Sequence, residues 1–185
     1  MVRRVCPWWH GYAIDNVFRR LINDPRKIVG PYISEGMTVT DIGCGMGLFS
    51  IPVAKMVGED GLVIAIDVQQ KMLDVVVRRA RRAGVANRIR TYCCEADNIG
   101  LNEKVDFALA FWVMHEVPDE EKFLRQLCTS LRNEGKILLA EPVLHVSRRR
   151  FEEVVALAQT LGLRLSAEPR IIFSRAALFE SGGAG

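Results

Sequence analysis

Asp41, Gly43, Gly45, Gly47 and Asp67 are the residues of this sequence whose types and spacing point most directly to chemistry. The stretch Val39-Thr40-Asp41-Ile42-Gly43-Cys44-Gly45-Met46-Gly47 reads as a buried strand that ends in an acid and runs into three closely spaced glycines. A strand turning sharply into a helix needs residues without Cβ atoms, both for positive φ and for close approach of a ligand to the backbone. Such a turn aims backbone N–H groups and the positive end of a helix at whatever sits there. A pyrophosphate fits poorly. The glycines run G-x-G-x-G, with Leu48 where a dinucleotide fingerprint would have its last glycine, and the Asp41 carboxylate would repel phosphate. A cation would be welcomed instead. Asp67, 20 residues beyond Gly47, is placed to take two ribose hydroxyls. An adenosine with no phosphates and a positively charged tail satisfies both acids, and S-adenosylmethionine has that form.

The elements that must position these groups follow from the apolar pattern. Residues 15–33 read as helical, with Val17, Phe18, Leu21 and Ile22 on one face and a break at Asp24-Pro25. Strands are expected at 37–41, 62–67, 89–94, 105–111 and 136–140, and helices after the glycine turn to 56, then over 69–83, 118–131 and 150–161. Arg78, Arg79, Arg81 and Arg82 fall largely on the outer face of the 69–83 helix, and Asn133-Glu134-Gly135 reads as a turn. Alternation of this kind predicts an α/β, doubly wound parallel sheet. Two last strands, over 163–166 and 171–179, are separated only by Ala167-Glu168-Pro169 and must pair as an antiparallel hairpin. In such a sheet the ligand lies across the carboxyl ends of the strands at the switch point, where Asp41, Asp67, Glu95 and the loop 112–116 all end up.

Composition bounds the rest. The 185 residues are 49% apolar and 25% charged, as for one globular domain, and the net charge of +3 gives no strong footprint for nucleic acid or a membrane. The apolar runs 62–66 and 105–113 are too short to span a bilayer. Five cysteines, an odd number with no signal-peptide pattern and no CxxC pair, suggest reduced thiols in a cytoplasm and no metal site. So compact a chain leaves room for a homodimer to complete a pocket.

Five segments in order, DIGCGMG, GEDGLVIAIDVQQKML, CEADNIGL, VDFALAFWVMHEVPDEEKFLRQLCTSLRNEGKILLAEP and the closing hairpin, resemble a class I S-adenosylmethionine-dependent methyltransferase. The branch is similar to the small-molecule, ubiquinone/menaquinone-biosynthesis type. The resemblance implies a Rossmann-like seven-stranded sheet, mostly parallel with an antiparallel C-terminal strand, over residues 26–180, preceded by an arm (1–25) acting as a lid and followed by a flexible tail (181–185). It implies that Asp41, Gly43, Cys44 and Gly45 hold the methionine part, Asp67 the ribose, and Val68 the adenine face. Glu95, where the family usually has an aspartate, and Ala96 would meet the adenine edge, with Asp97 as the alternative to Glu95. Phe111 would lie beside the sulfonium, and His115 near the transferred methyl.

Methyl transfer from a sulfonium is an in-line displacement in which alignment supplies most of the catalysis, and a base is needed only if the acceptor keeps a proton. His115 and His145 are the candidate catalytic groups, each with a structural alternative as a plain hydrogen-bonder. Trp8, Trp9, His10 and Tyr12 are candidates for walling the acceptor pocket, against simple packing of the arm onto the sheet. Cys6 and Cys44 would suit a soft metalloid acceptor if exposed together; buried inert thiols are the plainer reading. The greasy Phe111-Trp112-Val113-Met114, in place of an Asn-Pro-Pro-Tyr-like loop, points to a small, partly apolar acceptor and disfavours RNA. An RNA or protein methyltransferase, or a binding module without catalysis, remain the alternatives.

Overall fold

The computed structural model describes residues 23–182. Its elements are α1 (Pro25–Ile28), β1 (Thr38–Ile42), α2 (Ser50–Met56), β2 (Leu62–Asp67), α3 (Gln70–Arg82), β3 (Ile89–Cys93), β4 (Val105–Phe111), α4 (Glu120–Ser130), β5 (Leu131–Pro142), α5 (Arg148–Thr160), β6 (Leu163–Ala167) and β7 (Ser174–Ser181). The arm residues Trp8, Trp9, His10 and Tyr12, and residues 15–22 of the helical segment expected over 15–33, lie outside the described residues; the rest of that segment forms α1 and a 3-10 turn over Gly30–Tyr32.

The seven strands form one sheet in the order β3-β2-β1-β4-β5-β7-β6. The chain runs outward from β1 to β3, then returns to lay β4 against β1, all parallel. The switch point therefore falls between the carboxyl ends of β1 and β4. β7 is antiparallel to both of its neighbours, β5 and β6, which is the closing hairpin inserted into the sheet edge.

Burial on both faces explains the near-continuous apolar strands. Successive residues of β5 alternate between them. Ile137 and Leu139 pack with Phe123, Leu127, Phe151 and Val154 of α4 and α5. Leu138 and Ala140 pack with Val53, Phe107 and Leu178 on the other side. Each such fully buried aliphatic or aromatic side chain contributes about 1.5–3 kcal/mol. Side-chain caps open two of the helices: Asp119 accepts from the Lys122 N–H at 2.9 Å to open α4 after Pro118, and Ser147 accepts from the Arg150 N–H at 3.2 Å to open α5.

Three local departures from the sequence expectation have physical causes. Asn133-Glu134-Gly135 does not separate α4 from the fifth strand. It sits inside β5 as a bulge where the register to β4 shifts, with Glu134 at φ 63° and Arg132 paired to Asp106 at 2.6 Å. β7 begins at Ser174, because residues 171–174 close a tight turn in which Phe173 takes φ 57° and accepts from the Val143 N–H at 3.0 Å. Arg79 is not a plain solvent-facing charge: its guanidinium reaches back to the Met46 carbonyl at 2.8 Å and ties α3 to the glycine turn.

Candidate functional site

The glycine turn takes the shape its sequence demands. Gly43 and Gly45 have φ of 66° and 52°, a region that costs side chains with a Cβ about 1–2 kcal/mol. At Gly43 there is a second reason for glycine. A Cβ there would stand 2.7 Å from Cγ2 and 2.9 Å from Cβ of Val113, so the turn after β1 presses directly on the loop after β4.

Between those loops opens a cleft of about 460 Å³. Asp41, Gly43, Cys44, Gly45, Asp67, Val68, Glu95, Ala96, Phe111, His115 and His145 all line it. Four of its lining residues are acids (Asp41, Asp67, Glu95 and Glu116), and no Lys or Arg lines it among the described residues. Its remaining walls are mostly apolar, including Met46, Met72, Ile99, Trp112, Val113, Leu144 and Phe173. Leu144 and Phe173 stand exposed at the mouth.

The acids are held in distinct ways. Asp41 is only 3% exposed and accepts a 2.5 Å hydrogen bond from the Ser50 hydroxyl, at the start of α2. Asp67 accepts from the Gly45 N–H through Oδ2 and from the Gln69 N–H through Oδ1, both at 2.9 Å. It therefore braces the glycine turn. Burial lifts the Asp67 carboxyl above its ordinary value, and the N–H groups of Gln69, Gly45 and Val68 draw it part of the way back. The folded-state value is raised, so this group's share of stability is fully present below the unfolded aspartate value. It is lost as pH rises through the higher folded value, because the unfolded chain ionises first.

The thiols are poorly placed for soft chemistry. Cys44 is buried, and burial followed by the charges of Asp41 and Asp67 raises its pKa well above the ordinary thiol value. Burial and the Asp67 charge push Cys94, also in the cleft wall, up to about 11. Neither supplies a thiolate near neutrality, and Cys6, the other thiol of the metalloid reading, lies outside the described residues. Asp97, the alternative to Glu95, turns away from the cleft wall to bond Lys122 at 2.8 Å, and that cation lowers its pKa.

The loop after β4 is shaped by Trp112, which adopts φ 61°. Its backbone N–H reaches the Ala140 carbonyl at 2.7 Å and its indole N–H reaches the Ser174 hydroxyl at 2.9 Å, so β5 and β7 hold the strained residue in place. The turn aims His115 into the cleft, beside Glu116 and with its ring centroid 5.5 Å from that of His145.

Glu141 is the group that sequence reasoning missed. It ends β5, is 1% exposed, and binds the His115 ring Nδ1 at 2.6 Å. Its oxygens also accept from the backbone N–H groups of Met114 at 3.0 Å and His115 at 3.2 Å. The available signal was an acid closing the apolar run Ile137-Leu138-Leu139-Ala140, as Asp41 and Asp67 close β1 and β2.

A family model described as "Methyltransferase domain" matches residues 33–168. The chain is 31% identical over 129 residues to the ubiquinone biosynthesis O-methyltransferase of Methylobacterium nodulans, covering 70% of this chain and 49% of that protein. It is 27% identical over 110 residues to the ubiquinone/menaquinone biosynthesis C-methyltransferase UbiE of Haemophilus ducreyi, covering 59% and 42%. The chain spans about half the length of the curated relatives it matches. Among solved structures, a SAM dependent methyltransferase from Aquifex aeolicus superimposes with a TM-score of 0.85 at 24% identity, over 95% of this chain and 99% of that one, a likeness of fold. Sequence match and fold agree, and the chain belongs to the class I S-adenosylmethionine-dependent methyltransferases.

Proposed function

We propose that this chain binds S-adenosylmethionine in the cleft and transfers its methyl group to a small-molecule acceptor, releasing S-adenosylhomocysteine. The observation that carries this reading is the charge of the cleft: four acids and no Lys or Arg line it among the described residues. Such a wall favours a sulfonium and an ammonium and disfavours a pyrophosphate. The bound molecule supplies a methyl carbon already activated by positive sulfur. Asp41, with the backbone of Gly43, Cys44 and Gly45, holds the methionine part, and Asp67 takes the ribose hydroxyls. Val68 lies on the adenine, Glu95 and Ala96 meet its edge, and Phe111 shields the sulfonium.

The acceptor side is the apolar half of the cleft, around Trp112, Val113, His115 and His145. Two relatives are named for different acceptor atoms, an O-methyltransferase and a C-methyltransferase. No helix among the described residues is long and apolar enough to cross a membrane. A cytoplasmic enzyme without a nucleic-acid partner, open to homodimer formation, fits this reading.

Formation of S-adenosylhomocysteine tests it, with S-adenosylmethionine and either a low-molecular-mass ultrafiltrate of cell extract or total RNA. Product with the ultrafiltrate and none with RNA is expected. Product only with RNA moves the enzyme to that class, and binding without any product makes the chain a binding module.

A pH effect follows from Asp67. Ribose hydroxyls donate to its ionised form, so affinity for S-adenosylhomocysteine should weaken on acidification at a pH above the ordinary aspartate value of 3.8. Calorimetric titrations between about pH 7 and about pH 4 check this, the loss steepening toward about tenfold per unit below the folded value. A flat profile down to that ordinary value would contradict the role of Asp67.

A further inference from the structure

We propose that Glu141 is a positioning residue that holds His115 as the proton acceptor of the transfer, and that the acceptor molecule therefore carries an ionisable proton into the cleft. The proposal rests on the S-adenosylmethionine reading above and extends it to the chemistry of the second substrate.

The geometry is specific. Glu141 is almost wholly buried, accepts from the Met114 and His115 backbone N–H groups, and holds Oε2 2.6 Å from His115 Nδ1. The two backbone bonds fix the carboxylate, because they come from the short turn Met114–Glu116 that also carries the imidazole. A carboxylate held in this way can only accept, so Nδ1 must carry a proton. Proton exchange with a molecule in the cleft then falls to Nε2. The same carboxylate stabilises the imidazolium formed when Nε2 takes a proton. A histidine serving only to fill the wall would need no buried carboxylate 26 residues away in sequence to select its tautomer.

The step balances without any further reagent. A lone pair on the acceptor atom forms a bond to the methyl carbon while the carbon–sulfur bond breaks and its electron pair stays on sulfur. The proton of the acceptor passes to Nε2 of His115 and leaves to solvent from the 23% exposed side chain after release of product. An acceptor without a proton, such as a tertiary amine or thioether, would make no use of this pair. A hydroxyl or an acidified carbon–hydrogen bond would.

Among the described residues, Glu141 from β5, Glu116 from its own turn, with Oε1 3.9 Å from Nε2, and His145 from the turn after β5 face the His115 ring. Their contributions separate by substitution. The test is proton–nitrogen correlation spectroscopy of the full chain labelled with ¹⁵N-histidine. Only three histidines are present, and His115→Gln identifies the signals of interest. Neutral His115 should be protonated at Nδ1, the tautomer that a free imidazole disfavours. Glu141→Gln should lower its titration midpoint by about one unit or more, whereas His145→Gln should leave the tautomer unchanged. Methyl transfer to the acceptor fraction should fall about 100-fold or more in Glu141→Gln, with binding of S-adenosylmethionine held within about threefold.

An Nε2-protonated His115 in the wild type would overturn the proposal, and that measurement decides even if Glu141→Gln fails to fold. So would an unmoved midpoint, or transfer retained within about threefold of wild type. Calorimetry on the same samples separates the two levels: absent S-adenosylmethionine binding by the wild type removes the underlying reading, whereas intact binding with the wrong tautomer removes only this one.

Discussion

Asp67→Ala is expected to weaken S-adenosylmethionine binding by about two orders of magnitude while changing the folding stability of the free protein little. The binding loss has two parts. A carboxylate taking two ribose hydroxyls makes two hydrogen bonds to a charged group, each contributing about 1.5–3 kcal/mol, and every 1.4 kcal/mol is about tenfold in affinity. The substitution also removes the acceptor of the Gly45 N–H, which releases the glycine turn from its brace to β2. Stability responds differently because two effects oppose each other. The Gly45 and Gln69 N–H groups lose a partner, but a carboxylate whose ionised form is disfavoured by burial is removed. Calorimetric titration gives the first quantity and thermal melting of the unliganded protein the second. Binding within about threefold of wild type would show that Asp67 does not hold the ligand.

Gly43→Ala should be damaging to both fold and binding. The added methyl suffers the left-handed backbone at φ 66° and meets Val113, with Cγ2 at 2.7 Å and Cβ at 2.9 Å. Backbone strain of about 1–2 kcal/mol and overpacking of about 1–3 kcal/mol together predict a loss of about 2–5 kcal/mol. The Val113 Cβ cannot swing aside as the end of a long side chain would, so one of the two loops must move. Both line the cleft, and S-adenosylmethionine affinity should fall at least about tenfold as the turn departs from its shape. Pairing Gly43→Ala with Val113→Gly separates the causes. It should recover the overpacking part and leave the strain, a coupling measurable by denaturant titration of the four proteins in the cycle. Simple additivity of the two substitutions would show that the loops do not press on one another as the distances require.

How much of this was legible in the sequence varies with the range of the interaction. β2 and β4 fall on the residues the apolar runs mark, because a strand buried on both faces and bounded by turn residues has few other places to end. The glycine turn and its flanking acids were legible for the same local reason. The bulge in β5 was not, since Asn133-Glu134-Gly135 is good turn chemistry and only pairing with β4 keeps it in the strand. Arg79 was read as outward because helical periodicity says nothing of a carbonyl 33 residues away within reach of a long side chain. Glu141 was hidden in the same way. Its meaning lies in a bond to His115 across two adjacent strand ends, and no spacing rule encodes a contact that the sheet order alone creates. The apolar mouth at Leu144 and Phe173 likewise depends on two turns that meet only after β7 inserts beside β5.

The central claim is that an acid-lined cleft at the β1/β4 switch point accepts a cationic adenosine and refuses a pyrophosphate. Calorimetric titration of the wild-type protein with S-adenosylmethionine, and in parallel with NAD, tests it most directly. Saturable binding of S-adenosylmethionine at one site per chain with no heat from NAD is the predicted result. Binding of NAD, or of neither molecule, would contradict it.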